Sequence, residues 1–196
     1  MKILSVLLVT ILSGCAAFRG YEQPIVKPEL VSVNLPKKLL VSMKWKAVPE
    51  RRFSPSSMLT AENKQSTFFY EELMRSGCCE LSTVGQDPDL IISGEIDVSY
   101  KADGFLEGLL RTPTQFSFAI IPGWDNYHYK LTVKVENVKG QSREYSAVDS
   151  GLFIQWLPLA PVALFVDSPG EIDKALLQNL HRNLIYRMKK DGFFGG

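Results

Sequence analysis

The sequence is poor in the residues that build metal and nucleophilic centres. It carries two histidines, His128 and His181, and three cysteines, Cys15, Cys78 and Cys79. No Cys, Asp or Glu stands at metal-ligand spacing to either histidine. No Gly-x-Ser-x-Gly elbow presents a nucleophile, and Gly104 and Gly108 do not open a strand-to-helix phosphate loop. Glu95 and Asp97 share the solvent face of one predicted strand and relax into water rather than forming an acid/base pair. These absences point away from an enzyme and away from any metal or cofactor. An excess of one charge is also lacking: the formal net charge is +1, with no basic stripe of the kind that displaces counterions from nucleic acid. The densest basic group, Arg187, Lys189 and Lys190, falls at a predicted helix C-terminus, where the helix dipole accounts for it. Missing, finally, is any apolar run of about twenty residues, the length a spanning helix needs.

What is present begins at the amino terminus. Lys2 precedes an apolar run from Ile3 to Leu12, the length of a signal-peptide core. Small residues Ser13 and Gly14 then lead into Cys15. Leu12-Ser13-Gly14-Cys15 resembles the bacterial lipobox. That resemblance implies cleavage after Gly14, a diacylglycerol on the Cys15 thiol and an acylated amine, so that several acyl chains tie the chain to a membrane at about 0.8 kcal/mol per buried methylene. Lipoproteins retained at the inner membrane resemble one another in having Asp after the cysteine. Ala16 stands there, which implies the periplasmic face of the outer membrane rather than the inner one.

Residues 15–37, broken by Pro24, Pro28 and Pro36, read as a flexible tether that reaches up to about 60 Å from the lipid. Residues 38–192 are enough for one periplasmic domain that needs no disulfide framework. Residues 193–196 read as a frayed tail, with Phe193 and Phe194 tucked in at most. Cys78 and Cys79 close a helix, where two buried thiols are expected ahead of a bond between neighbours.

Within 38–192, Leu39 to Lys46 alternates as a half-buried strand, and Thr60 to Ser76 reads as a helix stopped by Gly77. A short strand follows at Leu81 to Val84. Leu90 to Lys101 and Tyr127 to Glu136 each bury one face and wet the other, as antiparallel neighbours do. A turn at Lys139-Gly140-Gln141 leads to a fifth strand around Glu144 to Ile154. Ser168, Pro169 and Glu171 form a capping box for a helix whose Ile172, Leu176, Leu180, Leu184 and Met188 recur every fourth position. The predicted fold class is α+β: β-α-β-β-β-α, a mixed, mainly antiparallel five-stranded sheet with two main helices.

Two inserts, Ala102 to Asn126 and Trp156 to Phe165, are far more apolar than water-facing loops. With strands three to five antiparallel, both emerge at one end of the sheet. They are either a satellite core or a contact surface, and Phe116, Ile120, Trp124, Trp156, Leu159 and Phe165 are the candidate contact residues. The element order of residues 38–192 resembles the periplasmic lipoprotein domain related to the TolB N-terminal domain, a group that includes the curli export lipoprotein. That exporter carries membrane hairpins where the two inserts lie. Here Pro113, Pro122, Pro158 and Pro161 interrupt the inserts, and neither alternates as barrel strands do. The expectation is therefore a lipid-anchored, non-enzymatic module that binds or scaffolds another envelope protein or a second copy of itself. The alternative is a ring-forming subunit of an export assembly.

Overall fold

The computed structural model describes residues 15–48, 55–101, 123–155, 159 and 167–194. Six strands and three helices occur there: β1 Cys15–Arg19, α1 Pro28–Val31, β2 Leu39–Ala47, α2 Pro55–Ser76, β3 Cys79–Leu81, β4 Leu90–Lys101, β5 Gly123–Asn137, β6 Ser142–Gln155 and α3 Pro169–Lys190. The fold is α+β with a mixed sheet in the order β1-β6-β5-β4-β2-β3. β2 runs parallel to both β3 and β4, and β1 runs antiparallel to β6. The sheet thus has one strand more than the alternation predicted, and the extra one is β1.

Period-two alternation explains the strands. Val41, Trp45 and Ala47 are buried while Ser42, Lys44 and Lys46 are exposed, and Leu131, Val133 and Val135 are buried on β5. The buried side meets both long helices: the Trp45 ring lies 5.4 Å from Phe69 of α2 and 5.6 Å from His181 of α3. Gly94, opposite Trp45 on β4, leaves room for that indole, because a Cβ there would fall 2.5 Å from its ring.

Helix ends are set by local chemistry. Ser168 and Glu171 form the predicted capping box: Glu171 N donates to Ser168 Oγ at 3.3 Å, and Ser168 N donates to Glu171 Oε2 at 2.9 Å. The hydrogen bonds that Ser168 N and Ser168 Oγ donate to the exposed Glu171 carboxylate hold its pKa below the ordinary value. At the other end Gly192, at φ +80°, closes a Schellman turn, with Gly192 N donating to Lys189 O and Phe193 N to Met188 O. Phe193 and Phe194 are buried. They are therefore not a frayed tail, since the turn carries the Phe193 ring edge-on to Tyr145, 6.3 Å between centroids.

Two further expectations are corrected. The stretch read as a flexible tether is folded: β1 pairs with β6, and Val26 and Val31 are buried. Pro28 opens α1 at its first position, where a missing N–H leaves no helical bond unmade, so this proline starts an element instead of breaking one. Cys78 and Cys79 are joined by a disulfide rather than being free thiols. Gly77, at φ +77°, ends α2 and turns the chain so that both cysteines enter the core side by side.

Two compact units partition the chain, residues 1–20, 99–128 and 150–176 in one and 21–98, 129–149 and 177–196 in the other. β4, β5, β6 and α3 contribute residues to both.

Candidate functional site

In the first unit, β1 places the backbone of Cys15 opposite Gln155, and Arg19 opposite Gly151. Ala16 and Ala17 point to opposite faces of the sheet, as successive strand residues must, and both are buried. Two glycines and a serine hold the neighbourhood tight: a Cβ on Gly151 would fall on the ring of Tyr127, and one on Gly20 would fall on Ser150 Oγ.

The direction of each strand fixes what gathers beside Cys15. Val138 N donates to Asp89 O at 3.2 Å, so β5 ends where β4 begins. The Asn137–Gln141 turn, in which Asn137 Oδ1 accepts from both Lys139 N and Gln141 N, returns the chain along β6. The end of β4, the start of β5 and the end of β6 therefore share one end of the sheet with the start of β1. The apolar stretches between Lys101 and Gly123 and beyond Gln155 leave the sheet at this end. Of the candidate contact residues, Trp124 is the second residue of β5 and half-buried, and Leu159 is half-buried. Phe116, Ile120, Trp156 and Phe165 lie outside the described residues.

The second unit holds the polar chemistry. His181 of α3 is wholly buried, with Nε2 2.9 Å from Gln65 Oε1 and its ring edge-on to Trp45 and Phe69. Burial pushes its pKa down to about 3, so the ring is neutral. Among the described residues, His181 Nδ1 and Trp45 Nε1 have no hydrogen-bond partner. A base sealed from solvent in an aromatic cage is a core residue, not a proton carrier. Glu72 is likewise buried on α2, between Arg182 Nε at 2.6 Å and Arg75 at 2.6 Å, and serves as a clamp between helices. A surface cleft at the start of β6 and the end of α3 contains Arg143, Tyr145 and Asp191. Asp191 accepts from Tyr145 Oη at 2.7 Å and pairs with Arg143 at 3.0 Å. Burial and the Asp191 carboxylate push the Tyr145 phenol above its ordinary pKa, so it is no acid or base near neutrality. Among the described residues, no cluster of His, Cys, Asp and Glu could hold a metal, and no helix is long and apolar enough to cross a membrane.

No protein-family profile matches the chain, and neither does any curated protein. A solved structure to which it is similar is the dodecamer of a PelC variant from Paraburkholderia phytofirmans, 13% identical over 85% of this chain and 97% of that one, with a TM-score of 0.30. A likeness at that level bears neither on the fold nor on the role of this chain.

Sequence reading missed the seat for residues 21–33. Asn179 and Asn183, one turn apart on α3, both donate to Pro24 O at 3.0 Å, and Asn179 Oδ1 accepts from Val26 N at 2.8 Å. Lys189 Nζ donates to Leu30 O and Ser32 O. The available signal was two asparagines spaced by four on the helix face that otherwise reads as core.

Proposed function

We propose that this chain is an envelope lipoprotein, tied by acyl chains on Cys15 to the periplasmic face of the outer membrane. In this reading it acts as a non-enzymatic module that binds or scaffolds another envelope protein. The observation that carries the reading is the position of Cys15: the lipobox cysteine begins an edge strand at the sheet end from which both apolar stretches depart. An anchor at that point brings the end of the sheet to the bilayer surface. Phe116, Ile120, Trp124, Trp156, Leu159 and Phe165 are then the residues through which the module meets its partner or the lipid.

A second reading, a ring-forming subunit of an export assembly, is favoured by the edge position of β1 among the described strands. That strand is outermost in the sheet, and its Phe18 is exposed. Copies anchored in one leaflet are related by axes along the membrane normal, so a repeated head-to-tail contact between them closes into a ring.

Labelled palmitate and fractionation test the anchor. Wild type takes up label and sediments with membranes, whereas Cys15→Ser takes up none and is soluble; a wild-type chain without label ends the proposal. Trp124→Ser with Trp156→Ser separates the roles of the contact residues. A folded variant that no longer co-purifies with an envelope partner supports a contact surface, an aggregating one shows that these side chains are core, and a ladder of cross-linked homo-oligomers selects the ring.

A further inference from the structure

Residues 15–33 are held in a way that differs from the rest of the chain. Their large apolar side chains mostly face water: Phe18 is 46% exposed, Tyr21 64%, Ile25 65% and Leu30 48%. Only Ala16, Ala17, Val26 and Val31 are buried, so little apolar area opposes the entropy of ordering this segment. What holds it instead is polar. In the first unit it is the β1–β6 ladder. In the second it is the row of Asn179, Asn183, Arg187 and Lys189 along α3, with Arg187 donating to Gln23 Oε1 at 2.9 Å. Ser76 O closes the row by accepting from Val33 N at 2.7 Å.

The chemistry of the seat matters. A groove of leucines left empty would expose apolar surface and aggregate, but emptied amides, a guanidinium and an ammonium are rehydrated. Such a seat tolerates vacancy. Tyr21 has φ +56°, a left-handed conformation that costs a non-glycine residue free energy. Letting go relaxes it.

We propose that residues 15–33 form a releasable strap. Docked, it holds the folded sheet close to the membrane; released, it lets the sheet stand up to about 60 Å away while still tethered. The inference rests on acylation of Cys15 for its membrane consequence, and on the polar seat alone for the release itself. Extended reach is what a scaffolding module needs to meet a partner far from the bilayer, and the docked state keeps it out of reach.

The test uses the full acylated chain in vesicles of phosphatidylethanolamine and phosphatidylglycerol. Hydrogen exchange read by mass spectrometry should show amides of residues 16–33 exchanging about a hundredfold faster than those of Leu180 to Ile185, because the strap opens without global unfolding. Equal rates for the two segments overturn the proposal. Asn179→Ala with Asn183→Ala should speed strap exchange about a further tenfold. As a control against general loosening, Asn63→Ala, on the exposed face of α2, should leave it unchanged; acceleration by both variants overturns the role of the seat. A fluorophore on Val138→Cys, in the exposed β5–β6 turn, reports distance to a lipid-borne acceptor. Energy transfer should fall in the double asparagine variant, and unchanged transfer with accelerated strap exchange overturns the reach. A chain that carries no label from palmitate but still shows fast strap exchange refutes the anchor and leaves the release standing.

Discussion

His181 illustrates what burial does to one titratable side chain. Its imidazole is neutral in the folded protein because the charged form would lose its hydration between Trp45 and Phe69, and among the described residues its hydrogen-bond partner is Gln65. The folded pKa, about 3, lies below the ordinary value of 6.5. Protonation therefore favours the unfolded chain. The neutral ring is fully compatible with the fold above about pH 6.5, and stability is lost progressively as pH falls from there towards 3. The difference in pKa corresponds to roughly 4–5 kcal/mol at the acid limit. Urea unfolding between pH 7 and pH 4 should show this one-proton dependence, and His181→Phe should remove it whatever its own cost in stability. A slope unaltered by the substitution would assign the acid sensitivity elsewhere. The sequence placed this histidine only as far as helix α3. Which face of α3 it occupies depends on the packing of α2 and β2, which a single helical period does not report.

At the scale of elements, the parts that declared themselves in the sequence carry their own local signal. α3 was marked by its capping box and four-residue apolar recurrence, and β2, β4 and β5 by alternation over eight or more residues. β1 had no such mark. Five residues, Cys-Ala-Ala-Phe-Arg, pair because β6 offers a partner in space, and two buried alanines do not stand out from a linker. Trp124 fared similarly: the period-two alternation is clear only from Tyr127, so Trp124 reads as part of the insert, yet it belongs to β5, which begins at Gly123. The union of α2 and α3 was equally hidden. Glu72, Arg75 and Arg182 are unremarkable charges in sequence, but Glu72 is 1% exposed and Arg182 18%. Glu72→Ala would leave the Arg182 guanidinium partly buried without its anion, at a cost of about 2–3 kcal/mol, below the full penalty for a wholly buried pair. Denaturant midpoints should fall accordingly with an unchanged slope. A loss under half a kilocalorie would reduce the clamp to an ordinary surface pair.

At the scale of the molecule, the proposed anchor carries a prediction about orientation. On the anchor proposed for Cys15, the sheet end that carries the start of β5 is the one expected to face lipid, because Cys15 opposes Gln155 and β5 begins at that same end. Trp124, second in β5 and half-buried, becomes a built-in depth probe there, since an indole with one wet side favours the membrane interface. Trp45 lies instead in the core beneath α2 and α3, out of reach of quenchers. In a Trp45→Phe, Trp156→Phe background, brominated phospholipids should therefore quench the remaining fluorescence of Trp124. In a Trp124→Phe, Trp156→Phe background they should leave Trp45 nearly untouched. The same vesicle-bound protein should resist extraction by about 1 M salt, which screens charges to within roughly 3 Å, and yield to detergent, which competes for acyl chains. Acylated protein that resists salt while Trp124 stays unquenched would keep the anchor and reverse the orientation, moving the contact surface to the opposite end of the sheet.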